Sequence, residues 1–324
     1  MIHVPLITPF GPAGDVDVTA LERLGRELLD AGAGGLVALG TTAEAAALEP
    51  EERAAVAAAV GRVCRAHGAR FTVGVGGAGS TRRAAREVAA LAELPDRPDA
   101  ALVTVPSFTR PGEAGVLAHF REVAAASPVP VLIYHVPYRT GQPLSAAALT
   151  ALAGIPGIAG VKYAAGGITA ETVDLLASAP PGFEVLAGDD VVAPALLALG
   201  AHGAVLASAH LATGRWAALA ARDGGFGGAL DGGSHGRAEP DGPAVRAGRE
   251  LSALAAALFR EPNPAVVKAV LHAQGRIPTP DVRLPLLPAS PHALAAALTA
   301  LAALTALGAP AAVEAAAGPG RLAP

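Results

Sequence analysis

Cysteine is almost absent: Cys64 is the only one in 324 residues. A lone thiol excludes an intrachain disulfide framework and any multi-cysteine metal site, and it suits a reducing cytoplasm. The nine histidines are dispersed, with no His-Glu-x-x-His and no close pair on one helix face, so no metal is assigned. A strong bias of charge is missing too. The net charge is −4 and the basic residues are scattered, which leaves no counterion-releasing track for nucleic acid. No Gly-x-x-x-x-Gly-Lys-Ser/Thr loop occurs, and Gly74-Val75-Gly76-Gly77-Ala78-Gly79 is too irregular for a dinucleotide site, so no cofactor is expected. The most apolar stretch, Ala293 to Ala309, falls short of the roughly 20 residues of a membrane span. Met1 to Pro5 lacks the basic-then-apolar pattern of a secretory signal. The partners expected are small molecules, with no membrane and no nucleic acid.

Apolar side chain, by contrast, is plentiful at 52% of the chain, enough for one large core. Short apolar runs alternate with longer amphipathic stretches, as when parallel strands are each followed by a helix. Eight strands are expected: Ile2–Thr8, Gly35–Leu39, Arg70–Val75, Ala100–Val105, Val129–His135, Ile158–Lys162, Glu184–Ala187 and Gly203–Ala207. Helices are expected over Thr19–Ala31, Pro50–His67, Ser80–Leu91, Glu113–Ala126 and Asp190–Leu199, with Thr19 and Glu22 as a capping box. Periodicity alone admits an open doubly wound sheet as well as a barrel. The division expected is a barrel over residues 1–222, a flexible Gly-rich insertion over 223–243, a helical extension over 244–308 and a disordered tail over 309–324. The extension holds helices at Ala244–Phe259, Pro264–Gln274 and Pro291–Leu307.

In a parallel barrel, chemistry gathers at the C-terminal ends of the strands. Polar residues there are Gly40-Thr41-Thr42, Tyr134, Lys162 and Gly188-Asp189-Asp190. Lys162 ends the run Ile158-Ala159-Gly160-Val161-Lys162, where alternation turns its side chain into the mouth. Desolvation there favours a neutral amine, the nucleophile that forms a Schiff base with a carbonyl. A lysine that reaches solvent or pairs with Asp189 or Asp190 fits the same residues. A phenol at Tyr134 can move protons, and Thr41 and Thr42 can offer hydroxyls and N–H groups to a carboxylate; singly, each also reads as core or turn.

Together these segments resemble the dihydrodipicolinate synthase and N-acetylneuraminate lyase family, from about Pro5 to about Pro288. The matching stretches are Thr8-Pro9-Phe10, Gly40-Thr41-Thr42-Ala43-Glu44, Tyr134-His135-Val136-Pro137-Tyr138-Arg139-Thr140-Gly141, Gly160-Val161-Lys162, Gly188-Asp189-Asp190, Glu261-Pro262-Asn263-Pro264 and Arg283-Leu284-Pro285. The resemblance implies a (β/α)8 TIM barrel with a C-terminal helical extension, usually a homotetramer, here a homotetramer or homodimer. It implies Lys162 as the Schiff-base lysine for pyruvate, with Tyr134 and Thr41 also catalytic. Thr42, Gly188 and Val205 bind substrate, and Arg139 holds the carboxylate of aspartate semialdehyde, giving 4-hydroxy-tetrahydrodipicolinate.

Three departures from the family pattern stand out. Ser107-Phe108-Thr109 stands where synthases carry Tyr-Tyr-Asn, so Phe108 lacks the hydroxyl that a neighbouring subunit supplies to a proton relay. His135 replaces an asparagine. Pro50, Arg53, Gly79 and Arg83 stand where a lysine feedback site would lie, so inhibition by lysine is not expected. Phe108 and His135 favour an alternative, a class I aldolase acting on a 2-keto-3-deoxy sugar acid or 4-hydroxy-2-oxoglutarate. A third possibility is a catalytically weak paralogue that binds a 2-oxo acid.

Overall fold

Strands in a parallel barrel are buried on both faces, so their residues are apolar almost throughout while alternate side chains still serve two different cores. In the computed structural model, which describes residues 1–76, 79–221 and 242–306, the eight apolar runs form β1 (Ile2–Pro5), β2 (Gly35–Ala38), β3 (Arg70–Val75), β4 (Ala100–Thr104), β5 (Val131–His135), β6 (Ile158–Tyr163), β7 (Glu184–Ala187) and β8 (Gly203–Val205). They pair in parallel in chain order, and β8 returns to β1, closing the barrel. The choice that periodicity left open is thereby decided.

Outward residues such as Val4, Leu36, Val73, Val103, Ile133, Val161 and Val185 pack under the helices in one continuous core. Inward residues, among them Val37, Leu102, Leu132, Leu186 and Val205, fill the barrel axis as a separate cluster. The floor of that axis is polar. Arg70 on β3 makes two hydrogen bonds to the Glu184 carboxylate on β7, at 3.0 and 2.8 Å. Beside them the buried ring of His3 is held neutral, its pKa pulled down to about 3 by burial and by the Arg70 charge.

The barrel helices are α1 (Val18–Asp30), α2 (Pro50–His67), α3 (Thr81–Ala89), α4 (Gly112–Ala126), the short turn α5 (Pro137–Thr140), α6 (Ala146–Ala153), α7 (Ala170–Ser178), α8 (Ala193–Ala198) and α9 (Ala209–Ala220). The capping box expected at Thr19 is not the start of α1. Asp17 is the N-cap, accepting from the Ala20 N–H at 2.9 Å, and Glu22 turns instead to Arg26 and Arg62. A carboxylate so placed satisfies a free helix-end donor directly and leaves Thr19 inside the first turn. At α2, Pro50 follows the N-cap Glu49, whose N–H donates to Glu52. The helix expected from Asp190 begins only at Ala193, because the Asp190 carboxylate is engaged by the Ser208 N–H at 2.6 Å.

The extension consists of α10 (Pro243–Leu258), α11 (Ala265–Ala273) and α12 (Pro291–Ala306). α10 packs on α8, α9 and α12, and α11 on α9 and α12. The Gly-rich insertion, except its last two residues, and the tail from 309 lie outside the described residues. No helix among the described residues is long and apolar enough to cross a membrane.

Candidate active site

Strand alternation decides what Lys162 can meet. Its neighbours Val161 and Tyr163 face the helices, so Lys162 faces the axis, beside Tyr134 in the β5–β6 register. Only 4% of the residue is exposed. Its Nζ stands 4.3 Å from the centroid of the Tyr134 ring, a cation–π distance. The lysine therefore keeps to the mouth of the barrel and makes no reach for bulk solvent.

Room for that side chain is made by Gly188, after β7. A Cβ there would lie 2.7 Å from Lys162 Cγ and 3.0 Å from Cε, closer than side-chain atoms approach. The next residues are acidic. Burial raises the Asp189 carboxyl above its ordinary value. Asp190 is buried, and desolvation pushes its pKa up to about 6, with the Ser208 hydrogen bonds and the Lys162 charge drawing it back. The sequence placed both aspartates at this strand end, but only the fold shows how deeply they are buried.

After β2 the chain makes a 3₁₀ turn at Thr41–Ala43, closed by Glu44 in the left-handed region at φ 55°. Thr41 sits at the exposed rim and Thr42 is buried. Asn263, from the segment ahead of α11, donates from Nδ2 to the Thr42 hydroxyl oxygen at 2.8 Å. That Oγ accepts from the amide, so its own proton is free for a ligand. Asn263 lay within a matching stretch but carried no role in the sequence reading, because a contact across 221 positions leaves no local pattern.

Lys162, Tyr134, Thr41, Thr42, Arg139, Gly188 and Val205 all line one cavity of about 310 Å³, with Asp189, Asp190, Tyr138, Phe259 and Asn263. An adjoining cavity of about 250 Å³ shares Thr41, Tyr134, Arg139 and Asn263. Arg139 rides on α5, exposed, its Nε donating to Tyr138 Oη at 2.7 Å. Every site residue expected from the sequence thus reaches one place. A larger cavity of about 680 Å³ lies at the opposite end of the barrel under Met1, His3, Arg70 and Glu184. Its Arg70–Glu184 and Arg65–Asp96 charges are paired with each other, and it is remote from the strand ends where βα loops converge.

The departures from the family pattern have distinct addresses. His135 faces away from Tyr134 into the outer core, its ring centroid 5.5 Å from that of Tyr163, and burial lowers its pKa to about 4. Phe108, on the loop after β4, is 94% exposed with φ 68°, and its N–H donates to Thr140 O at 3.2 Å. Left-handed backbone is costly for a bulky side chain, and here it turns the ring outward from its own barrel.

The chain is 36% identical over 289 residues to the 4-hydroxy-tetrahydrodipicolinate synthase of Laribacter hongkongensis, covering 87% of this chain and 91% of the relative. The synthase of Moorella thermoacetica is 35% identical over 297 residues, at 89% and 92% coverage. Among solved structures, the chloride-inhibited dihydrodipicolinate synthase of Acinetobacter baumannii complexed with pyruvate superimposes with a TM-score of 0.82 at 32% identity, over 94% of this chain and 98% of that one. Residues 1–304 match the family model for the dihydrodipicolinate synthetase family. A closed barrel with this lysine at its mouth and a family match over almost its whole length place the chain in the dihydrodipicolinate synthetase family.

Proposed function

We propose that the chain is a lyase that condenses pyruvate with L-aspartate 4-semialdehyde to give 4-hydroxy-tetrahydrodipicolinate. The observation that carries this reading is Lys162, almost wholly buried in a cavity that also presents Tyr134, Thr41, Thr42 and Arg139. The neutral amine of Lys162 attacks the pyruvate ketone, and loss of water from the carbinolamine leaves an imine. Tyr134 and Thr41 move the protons of those steps, and the Thr41–Thr42 turn receives the pyruvate carboxylate. Gly188 and Val205 shape the wall against which pyruvate lies.

Loss of a methyl proton converts the imine to an enamine, whose carbon attacks the aldehyde. Arg139, at the rim, offers the planar fork that suits the carboxylate of the second substrate. The substrate amine then displaces the Lys162 nitrogen by transimination, closing the ring and freeing the enzyme. We assign the activity to the cytoplasm and to a homotetramer or homodimer, the assembly in which the exposed Phe108 ring would meet a neighbouring subunit.

With His135 turned toward Tyr163 and away from the site, Phe108 is the departure that still favours a different acceptor, since it brings no hydroxyl to the relay. Pyruvate consumption followed with aspartate semialdehyde, with glyceraldehyde, whose condensation product is a 2-keto-3-deoxy sugar acid, and with glyoxylate separates the two. The highest kcat/KM is expected with aspartate semialdehyde; a higher value with another acceptor overturns the synthase assignment while leaving the Schiff base intact.

A further inference from the structure

The chain contains two lysines against twenty-two arginines. One is Lys162. The other, Lys268, lies in α11 and is 0% exposed, on a helix whose residues from Ala265 to Leu271 are all buried. Its Nζ donates to Glu44 Oε1 at 2.8 Å and stands 3.9 Å from the centroid of the Phe10 ring. The other oxygen of Glu44 accepts from the Arg283 N–H at 2.7 Å. Burial pulls the Lys268 ammonium below its ordinary value, and the Glu44 carboxylate pulls it back. A compact ammonium fits between a carboxylate and a ring face; a broad planar guanidinium has a different shape and more donors to satisfy. A chain that otherwise uses arginine keeps a lysine here.

A buried ion pair is a poor device for stability, because desolvating both charges offsets most of their attraction; its better-attested use is to fix register. What lies in register here is the Thr41–Ala43 turn. Glu44 closes that turn, its N–H donating to Thr41 O at 3.1 Å. Asn263, just ahead of α11, holds Thr42. Thr8 Oγ1 holds the carbonyl of Ala43 at 2.8 Å. One helix and the residue that leads into it therefore grip the turn at two points, Thr42 and Glu44. Thr8-Pro9-Phe10, Glu261-Pro264 and Arg283-Pro285, stretches without an assigned chemistry in the sequence, all meet the Gly40–Glu44 turn at this node.

We propose that Glu44 and Lys268 are positioning residues, which with Asn263 fix Thr41 and Thr42 where they receive the carboxylate of the keto acid. The C-terminal extension is then part of the substrate site and more than a buttress. The inference rests on the assignment of Thr41 and Thr42 to pyruvate binding and deepens it.

The test is the pyruvate concentration that half-saturates borohydride inactivation, measured for the wild type, Lys268→Met and the double variant Glu44→Gln/Lys268→Met. The double variant removes both charges together, so no lone buried charge opposes folding. A displaced turn raises half-saturating pyruvate by about tenfold or more, while KM for the aldehyde holds. A folded double variant with unchanged half-saturation overturns the proposal, since a purely structural role lowers stability without moving that value. If neither charge variant folds, Asn263→Ala decides: a raised half-saturation supports the grip on the turn and an unchanged one overturns it. A wild type that is not inactivated at all overturns the imine reading itself, and the clamp with it; a wild type inactivated normally beside unshifted variants overturns the clamp alone.

Discussion

Lys162 and Tyr134 are partners across the β5–β6 ladder, and the lysine nitrogen stands over the phenol ring at 4.3 Å from its centroid. The ring face holds the amine while the hydroxyl at its edge is left for proton transfer. Tyr134→Phe separates these two duties, because it keeps the face and removes the acid. The variant is expected to lose about 10²–10⁴-fold in kcat, the usual worth of a general acid–base group, yet still to label Lys162 slowly with pyruvate and borohydride. Steady-state kinetics beside trapping yields checks this; unchanged kcat would remove Tyr134 from the chemistry.

Gly188→Ala is expected to cripple imine formation with little change in fold. The added methyl would meet Lys162 Cγ at 2.7 Å, so the lysine side chain must leave its place beside Tyr134. Misplacing a reacting group by about an ångström costs on the order of 10²-fold. Inactivation rate at saturating pyruvate is the readout, with circular dichroism as the control for folding.

Phe108→Tyr returns a hydroxyl to an exposed loop position whose backbone is already fixed at φ 68°. If a neighbouring subunit's phenol completes the relay, synthase kcat rises by about tenfold or more. The same rate in both proteins would show that water or Tyr134 alone suffices.

His210 sets a pH dependence of stability. Its Nε2 accepts from the Ile7 N–H at 3.2 Å and its Nδ1 donates to Ala207 O at 2.8 Å, so the fold holds one neutral tautomer. Burial lowers its pKa from 6.5 to about 4. The folded value lies below the unfolded one, so the unfolded chain binds the extra proton between those limits. Stability from this group is complete above pH 6.5 and is lost as pH falls toward 4, by about 2 kcal/mol at pH 5. Urea unfolding at pH 7 and pH 5 should show His210→Gln losing less stability on acidification than the wild type, by about that amount.

The barrel was legible in the sequence because its strands are short apolar runs at regular spacing, and all eight were located, with β1, β2, β4 and β8 ending earlier than expected, β5 starting later and β6 running one residue longer. Closure was not legible: nothing within Gly203–Val205 says that it pairs with Ile2 and His3. The site residues on strand ends were legible for the same reason as the strands, since alternation alone turns Lys162 and Tyr134 inward. The second ring of support was not. Asn263 meets Thr42 and Lys268 meets Glu44 across more than 220 positions, and a lysine amid Val266, Val267 and Val270 reads locally as a flaw in an apolar helix. The N-cap of α1 was misplaced by two residues because Asp17 and Thr19 are both good caps, and only the backbone shows which one carries the bond.

The most direct measurement of the central claim is peptide mass mapping after incubation with pyruvate and borohydride. The chain offers few amines, Lys162, Lys268 and the N-terminus, and Lys268 has no exposed surface. A single reduced pyruvyl adduct on Lys162 is expected. Protein left unmodified, or an adduct on any other amine, contradicts it.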